Sequence, residues 1–303
     1  MASFSRISCI FGVLSFLVLA TEARVLRNGN AGFVTTRESH FVLDGSPFLF
    51  NGFNAYWMMH VSDDPSERYK VSEVFRDASA AGLTVCRTWA FSDGGDRALQ
   101  VSPGTYDESV FQGLEFVISE ARKHGIRLIL SFVNDYNDFG GKSQYARWAR
   151  NAGVQITSED DFYTNQVLKD YFKNHIRRII TRFNTITKIT YKDDPTIMAW
   201  ELMNEPRCQA DYSGKTVNGW VQEMATFVKS LDKRYRFART GGTMSGSLVW
   251  QLMAEGMDSY HDGYEIILSQ NPSTAGIMSS QSHAVTDLSH LFIGPHHAQT
   301  SAP

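Results

Sequence analysis

Cysteine is nearly absent from this 303-residue chain. There are three, and Cys9 sits in an N-terminal apolar stretch, which leaves Cys86 and Cys208. Two thiols cannot form a disulfide framework, so the fold must rest on a hydrophobic core. Cys86 lies in an apolar strand-like run and Cys208 in a loop, and separate thiols are expected. Histidine is sparse as well: of nine, only His296 and His297 are adjacent. No metal-ligand spacing results, and no metal or other cofactor is expected. The formal net charge is only -3, so nothing suggests a nucleic-acid or polybasic membrane partner, and none is expected. No apolar run reaches the ~20 residues that a membrane-spanning helix needs. The run from Ile10 to Ala20 follows Arg6 and precedes Thr21-Glu22-Ala23. That is the pattern of a secretory signal cleaved after Ala23, so the mature protein is expected to be exported and extracellular.

What is present is an alternation of strands and helices. Strands are predicted over 48–57, 84–91, 127–134 and 196–203. Helices are predicted over 66–81, 107–124 and 217–231, with a long helix starting at Ser158. Gly82 and Gly125 stand where helices end. Val110, Phe111, Leu114, Val117, Ile118 and Ala121 share one face of the second helix. Leu168, Phe172, Ile176, Ile179 and Phe183 mark the buried side of the long one. The intervening GGKSQYARWARNAG (140–153) reads as a long connection that shapes a cleft wall.

Buried strands alternating with helices imply a parallel sheet covered by helices, an α/β fold. A doubly wound sheet and an eight-stranded barrel compete. No Gly-rich phosphate fingerprint follows any strand, which disfavours dinucleotide binding. Polar residues instead close the strands: Asn54, Arg87, Asn134, Asn204 and Glu205. Those ends form the active-site face of a (β/α)8 TIM barrel, so barrel parentage is favoured. Aromatic content is 13%, which suits a packed core and, equally, a cleft whose flat faces stack on sugar rings.

The stretches FNGFNAYW, SEVFRDASAAGLTVCRTWAFSDGG, YKDDPTIMAWELMNEPRC and GGTMSGSLVWQLMAEGMDSYHDGYEI carry a specific resemblance. Together they resemble the plant endo-β-1,4-mannanases of glycoside hydrolase family 5, retaining enzymes built on the (β/α)8 barrel. The resemblance implies a mannan-type polysaccharide as substrate, with β-glucan second. It makes Glu205 the acid/base, a role that needs a carboxyl kept protonated by partial burial and a neighbouring carboxylate. Asn204 would bond the sugar 2-OH, and Arg87 would steady the nucleophilic carboxylate. From the residues alone, Arg87 could instead pair with Glu201 or another strand-end acid. Trp89 and Trp250 resemble substrate-lining aromatics. Asn134 is a further cleft candidate, and Trp57 and Trp148 are weaker ones.

After Leu231 the family pattern breaks. The family's strands five, six and seven should follow, roughly 90 to 100 residues in a typical barrel. A short connector from Leu231 to Ser245 replaces them. The family's nucleophile is a Glu before Phe-Gly on strand seven, and neither Glu-Phe-Gly nor Glu-Tyr-Gly occurs here. The later glutamates, Glu223, Glu255 and Glu265, match no nucleophile position. The expected barrel is therefore incomplete, with five of eight strands in the order 8-1-2-3-4, spanning residues 24–290 with a disordered tail at 291–303. Little or no hydrolysis is expected, and self-association through exposed sheet edges is. A mannan-binding pseudoenzyme and a shortened product without its own function are the alternatives.

Overall fold

The computed structural model describes residues 32–37, 40–234 and 245–291. The expected signal at 1–23, residues 235–244 of the connector and 292–303 of the expected tail lie outside these residues. Three short strands come first: β1 (Thr35–Arg37), β2 (His40–Leu43) and β3 (Ser46–Pro47), an antiparallel sheet. Then follow β4 (Phe50–Asn54), α1 (Met58–Ser62), α2 (Arg68–Ala80), β5 (Val85–Trp89), and a small hairpin of β6 (Gln100–Ser102) and β7 (Thr105–Tyr106). Next come α3 (Glu108–Lys123), β8 (Arg127–Ser131), α4 (Gly141–Asn151) and a 3-10 turn (Glu159–Tyr163). The chain continues through α5 (Gln166–Ile180), β9 (Ile197–Glu201), α6 (Lys215–Leu231), β10 (Gly246–Val249) and α7 (Pro272–Leu291).

The main sheet has the order β10-β4-β5-β8-β9, and every pair in it is parallel. From β4 to β9 the strands lie side by side in chain order, with no reversal. Parallel crossovers share one hand, so a monotonic order puts all the crossover helices on one face. A doubly wound sheet would reverse at a switch point. The sheet is an arc of barrel parentage, and β10 beside β4 is strand eight beside strand one.

Each face of the arc has its own apolar cluster. On the helix side Phe53, Cys86, Leu128, Leu130 and Ile197 join the large core with Phe75, Phe111, Leu114 and Phe172. On the other side Phe50, Val85, Ile129, Ala199 and Leu248 pack with Phe41, Leu43 and Phe48 of the antiparallel hairpin. Side chains alternate faces along a strand, so Arg87 and Trp89 follow Val85 on the second face and Glu201 follows Ala199. Apolar residues floor this face, and polar residues take its C-terminal rim.

The helix ends follow local chemistry. Asp107 caps α3 by accepting the Ser109 amide at 2.8 Å, and all six α3 residues predicted to face the core are buried. Three expectations need correction. Residues 141–151 are helix α4, whose Tyr145, Ala146 and Ala149 are buried. The Gly140-Gly141 pair that suggested a loop supplies its entry, at φ 92° and 59°. Ser158 caps a 3-10 turn through a reciprocal bond with Asp161, and the long helix restarts where Asn165 accepts the Val167 amide at 2.9 Å. Phe183 lies beyond the end of α5 and is exposed. The last helix, α7, lies where the sequence pattern predicts no element. Cys86 and Cys208 are both buried free thiols.

Candidate active site

The strand ends are bound into one polar chain. Arg87 is its centre, with its Nε donating to both oxygens of Glu201 at 3.1 and 3.0 Å and one terminal nitrogen 2.7 Å from Glu201 Oε2. Its Nη1 donates to Asn54 Oδ1 at 3.0 Å and its Nη2 to Asn204 Oδ1 at 2.7 Å. Asn204 Nδ2 donates to Asn134 Oδ1 at 2.9 Å, and Asn134 Nδ2 to the Asp138 carbonyl at 3.2 Å. Ser131 hydrogen-bonds Glu201 as well. Strand registry produces this arrangement: Asn54 is level with Arg87, and Ser131 with Glu201. A buried guanidinium needs a carboxylate, and the acid on Arg87 is Glu201, the pairing that the residues alone had left open.

Glu205 stands at the outer strand of the arc, just past β9. Its backbone is left-handed, with φ 45°, an arrangement that costs a residue with a side chain about 1–3 kcal/mol. The Tyr136 hydroxyl donates to its Oε2 at 3.2 Å, and Arg207 Nη2 donates to the same oxygen at 2.8 Å. Arg207 also lies over the Tyr136 ring, 5.2 Å from its centroid. The Glu205 side chain is 55% exposed, and its described partners are a phenol and a guanidinium, neither of them a carboxylate.

The three later glutamates are engaged elsewhere. Glu223 bridges α6 to α5 through Lys169 and Lys173, at 2.8 and 2.6 Å. Glu255 accepts from Ser269 at 2.6 Å. Glu265 accepts the amides of Asp262 and Gly263 and pairs with His261. None of these contacts involves Glu205.

The aromatics gather around Tyr56, beside the polar chain. Trp250 is 39% exposed. It stacks on Tyr56 at 5.8 Å and 19°, and its Nε1 donates to Asp262 at 2.9 Å. Trp89 is buried under Arg87, whose guanidinium carbon is 4.7 Å from the ring centroid. Tyr56 also neighbours Trp89, Phe139 and Tyr260. Trp57 is wholly buried, bonding the Leu252 carbonyl at 3.0 Å, and Trp148 packs edge-on against Tyr145; neither belongs to the rim. Sequence reasoning missed Tyr56, Phe139 and Tyr260, since a lone aromatic reads as core. The only available signal was the position of Tyr56 just past a strand end. Asn134, Asn204, Arg87 and Glu205 lie together, whereas Trp250, just past β10, reaches them only through Tyr56 and Trp89.

Comparison with known proteins follows this geometry. A family model described as "GH family 5 beta-mannosidase-like" matches residues 31–266. Mannan endo-1,4-beta-mannosidase 5 of Solanum lycopersicum is 51% identical over an alignment that covers 96% of this chain and 99% of that protein. That alignment runs over 411 positions, against 303 residues here, so more than a hundred positions of the relative have no counterpart. Mannan endo-1,4-beta-mannosidase 7 of Arabidopsis thaliana is 40% identical over 92% of this chain and 90% of its own length. Among solved structures, the endo-1,4-beta-mannanase from Rhizomucor miehei is 34% identical with a TM-score of 0.59, covering 70% of this chain and 64% of that one. The endo-beta-1,4-mannanase from Thermotoga petrophila superposes with a TM-score of 0.68 at 23% identity, covering 78% of this chain and 77% of that one, a likeness of fold.

Proposed function

Because the chain belongs to the GH family 5 beta-mannosidase-like family, we propose that its rim takes a β-1,4-mannan segment and that it sustains little or no hydrolysis of it. Glu205 is the acid/base in this reading. It protonates the glycosidic oxygen as the bond breaks and would later take a proton from water. Retention needs a second carboxylate about 5–5.5 Å away, and inversion needs one about 6.5–9.5 Å away to hold a water.

One observation carries the reading: among the described residues, each glutamate from Glu201 onward is already engaged away from a facing position. Glu201 is locked on Arg87, the later glutamates are bound elsewhere, and Glu205 has only Tyr136 and Arg207. Loss of one catalytic group from a concerted set costs about 10⁴- to 10⁶-fold in turnover. The sugar-facing parts are retained. Asn204 Nδ2 carries two protons and gives one to Asn134, and Trp250 keeps an exposed indole. Calorimetric titration with mannohexaose, with cellohexaose as control, tests the binding half. Heat of binding for mannohexaose alone is expected, and no heat from either sugar would refute it. The stretch from Arg6 to Ala23 supports export, in which case protein recovered from the culture medium begins at Arg24. Self-association is proposed through β10, which ends the sheet on its side. Sedimentation showing a strict monomer at every concentration would refute that.

A further inference from the structure

Beneath the rim, a buried cation that the reaction does not touch organises the turn that carries Glu205. Lys142 on α4 is 5% exposed. Its ammonium is 2.8 Å from Asp135 Oδ1 and donates to Asp160 Oδ1 at 2.8 Å and to the Arg207 carbonyl at 3.0 Å. Three protons meet three acceptors, so the charge is fully satisfied. Both carboxylates pass the restraint on. Asp135 accepts the Arg207 amide at 3.2 Å and the Tyr163 hydroxyl at 3.1 Å, and Asp160 Oδ2 accepts the Ala210 amide at 2.9 Å. The Tyr163 hydroxyl also lies 2.9 Å from the Arg207 carbonyl. The turn after β9 is thereby tied to the end of β8, to α4 and to the 3-10 turn.

The tie lies next to the proposed acid. Arg207 is held at both its amide and its carbonyl, and its guanidinium reaches back to Glu205 Oε2. Glu205 itself is in a left-handed conformation that a loose turn would not keep. We propose that Lys142 is a positioning residue: through Asp135 and Asp160 it fixes the Arg207 backbone and so sets where the Glu205 carboxylate stands. The proposal rests on the reading of Glu205 as the acid/base.

The full chain with Lys142→Met tests it, beside Lys142→Met/Asp160→Asn. The single change leaves two buried carboxylates without their cation, a cost to folding that the double change avoids. The double change returns the local charge to its original sum. In the folded double variant the amide of Arg207 is expected to exchange with solvent about tenfold faster or more, as for a locally opened turn. The amides of Cys86 and Leu128 in the sheet should keep their protection. Mannohexaose affinity should fall about tenfold with the melting temperature maintained, a change that a role in folding alone would not produce. Wild-type protection at Arg207 would overturn the proposal, as would sheet and turn loosening together, or a loosened turn with unaltered affinity. If the parent chain does not bind mannohexaose, the binding reading fails by itself, and exchange at Arg207 still decides the role of Lys142.

Discussion

Arg87 shows how one residue can be legible in type and open in partner. A strand-end arginine announces a carboxylate, because a buried guanidinium without one is costly. Which carboxylate depends on strand registry, and registry is not written in a single sequence. Here it is Glu201, level with Ser131 and one strand beyond β8. Arg87→Met should cost about 2 kcal/mol, less than a fully buried pair would because Glu201 is partly exposed. Arg87→Met with Glu201→Leu should recover most of it, and urea unfolding of the four forms gives the coupling. Equal losses in the single and double variants would contradict the pairing. His175 makes a second case. It is buried on α5, its Nδ1 3.4 Å from the Tyr106 hydroxyl, and burial pushes its pKa down to about 4. The unfolded chain takes up this proton near pH 6.5. The neutral imidazole therefore contributes fully above that value, and the contribution is lost as pH falls towards 4, about 3 kcal/mol in all. Between pH 6.5 and 4 the unfolding free energy should drop by that much more in the parent chain than in His175→Gln. Parallel slopes would refute it.

Elements were read well where periodicity was strong and poorly where glycine or small residues blurred it. The α3 face was legible because six apolar residues repeat at helical spacing. Helix α4 was masked by Gly140-Gly141, which look like a loop but allow close packing: a Cβ on Gly140 would lie 2.0 Å from the Asp93 carbonyl oxygen. Over its described side chains, 272–288, helix α7 buries only Met278 and Ser282, so no apolar stripe marks it there. The docking of β10 turns on a glycine too. A Cβ on Gly246 would lie 2.5 Å from the Phe50 carbonyl oxygen and 2.5 Å from its ring. Gly246→Ala should push β10 off β4 and free the Gly52 amide for exchange, while the amides of β8 stay protected. Unchanged protection at Gly52 would show that the strand accommodates the methyl.

For the whole molecule, the arc order was legible because each motif could be assigned to a barrel strand and a stretch was missing between two of them. The site was legible only in part. Glu205, Asn204 and Arg87 sit in an informative peptide context, whereas Phe139 and Tyr260 reach the rim by tertiary placement alone and Tyr56 offers only its position just past β4. Among the described residues, Glu223, Glu255 and Glu265 are each engaged away from Glu205, in keeping with the break after Leu231. Release of reducing ends from galactomannan by the purified chain, with Glu205→Gln and a full-length relative run beside it, tests this most directly. The account predicts a rate no higher than that of the Glu205→Gln protein. A rate matching the full-length relative, and abolished by Glu205→Gln, would contradict it.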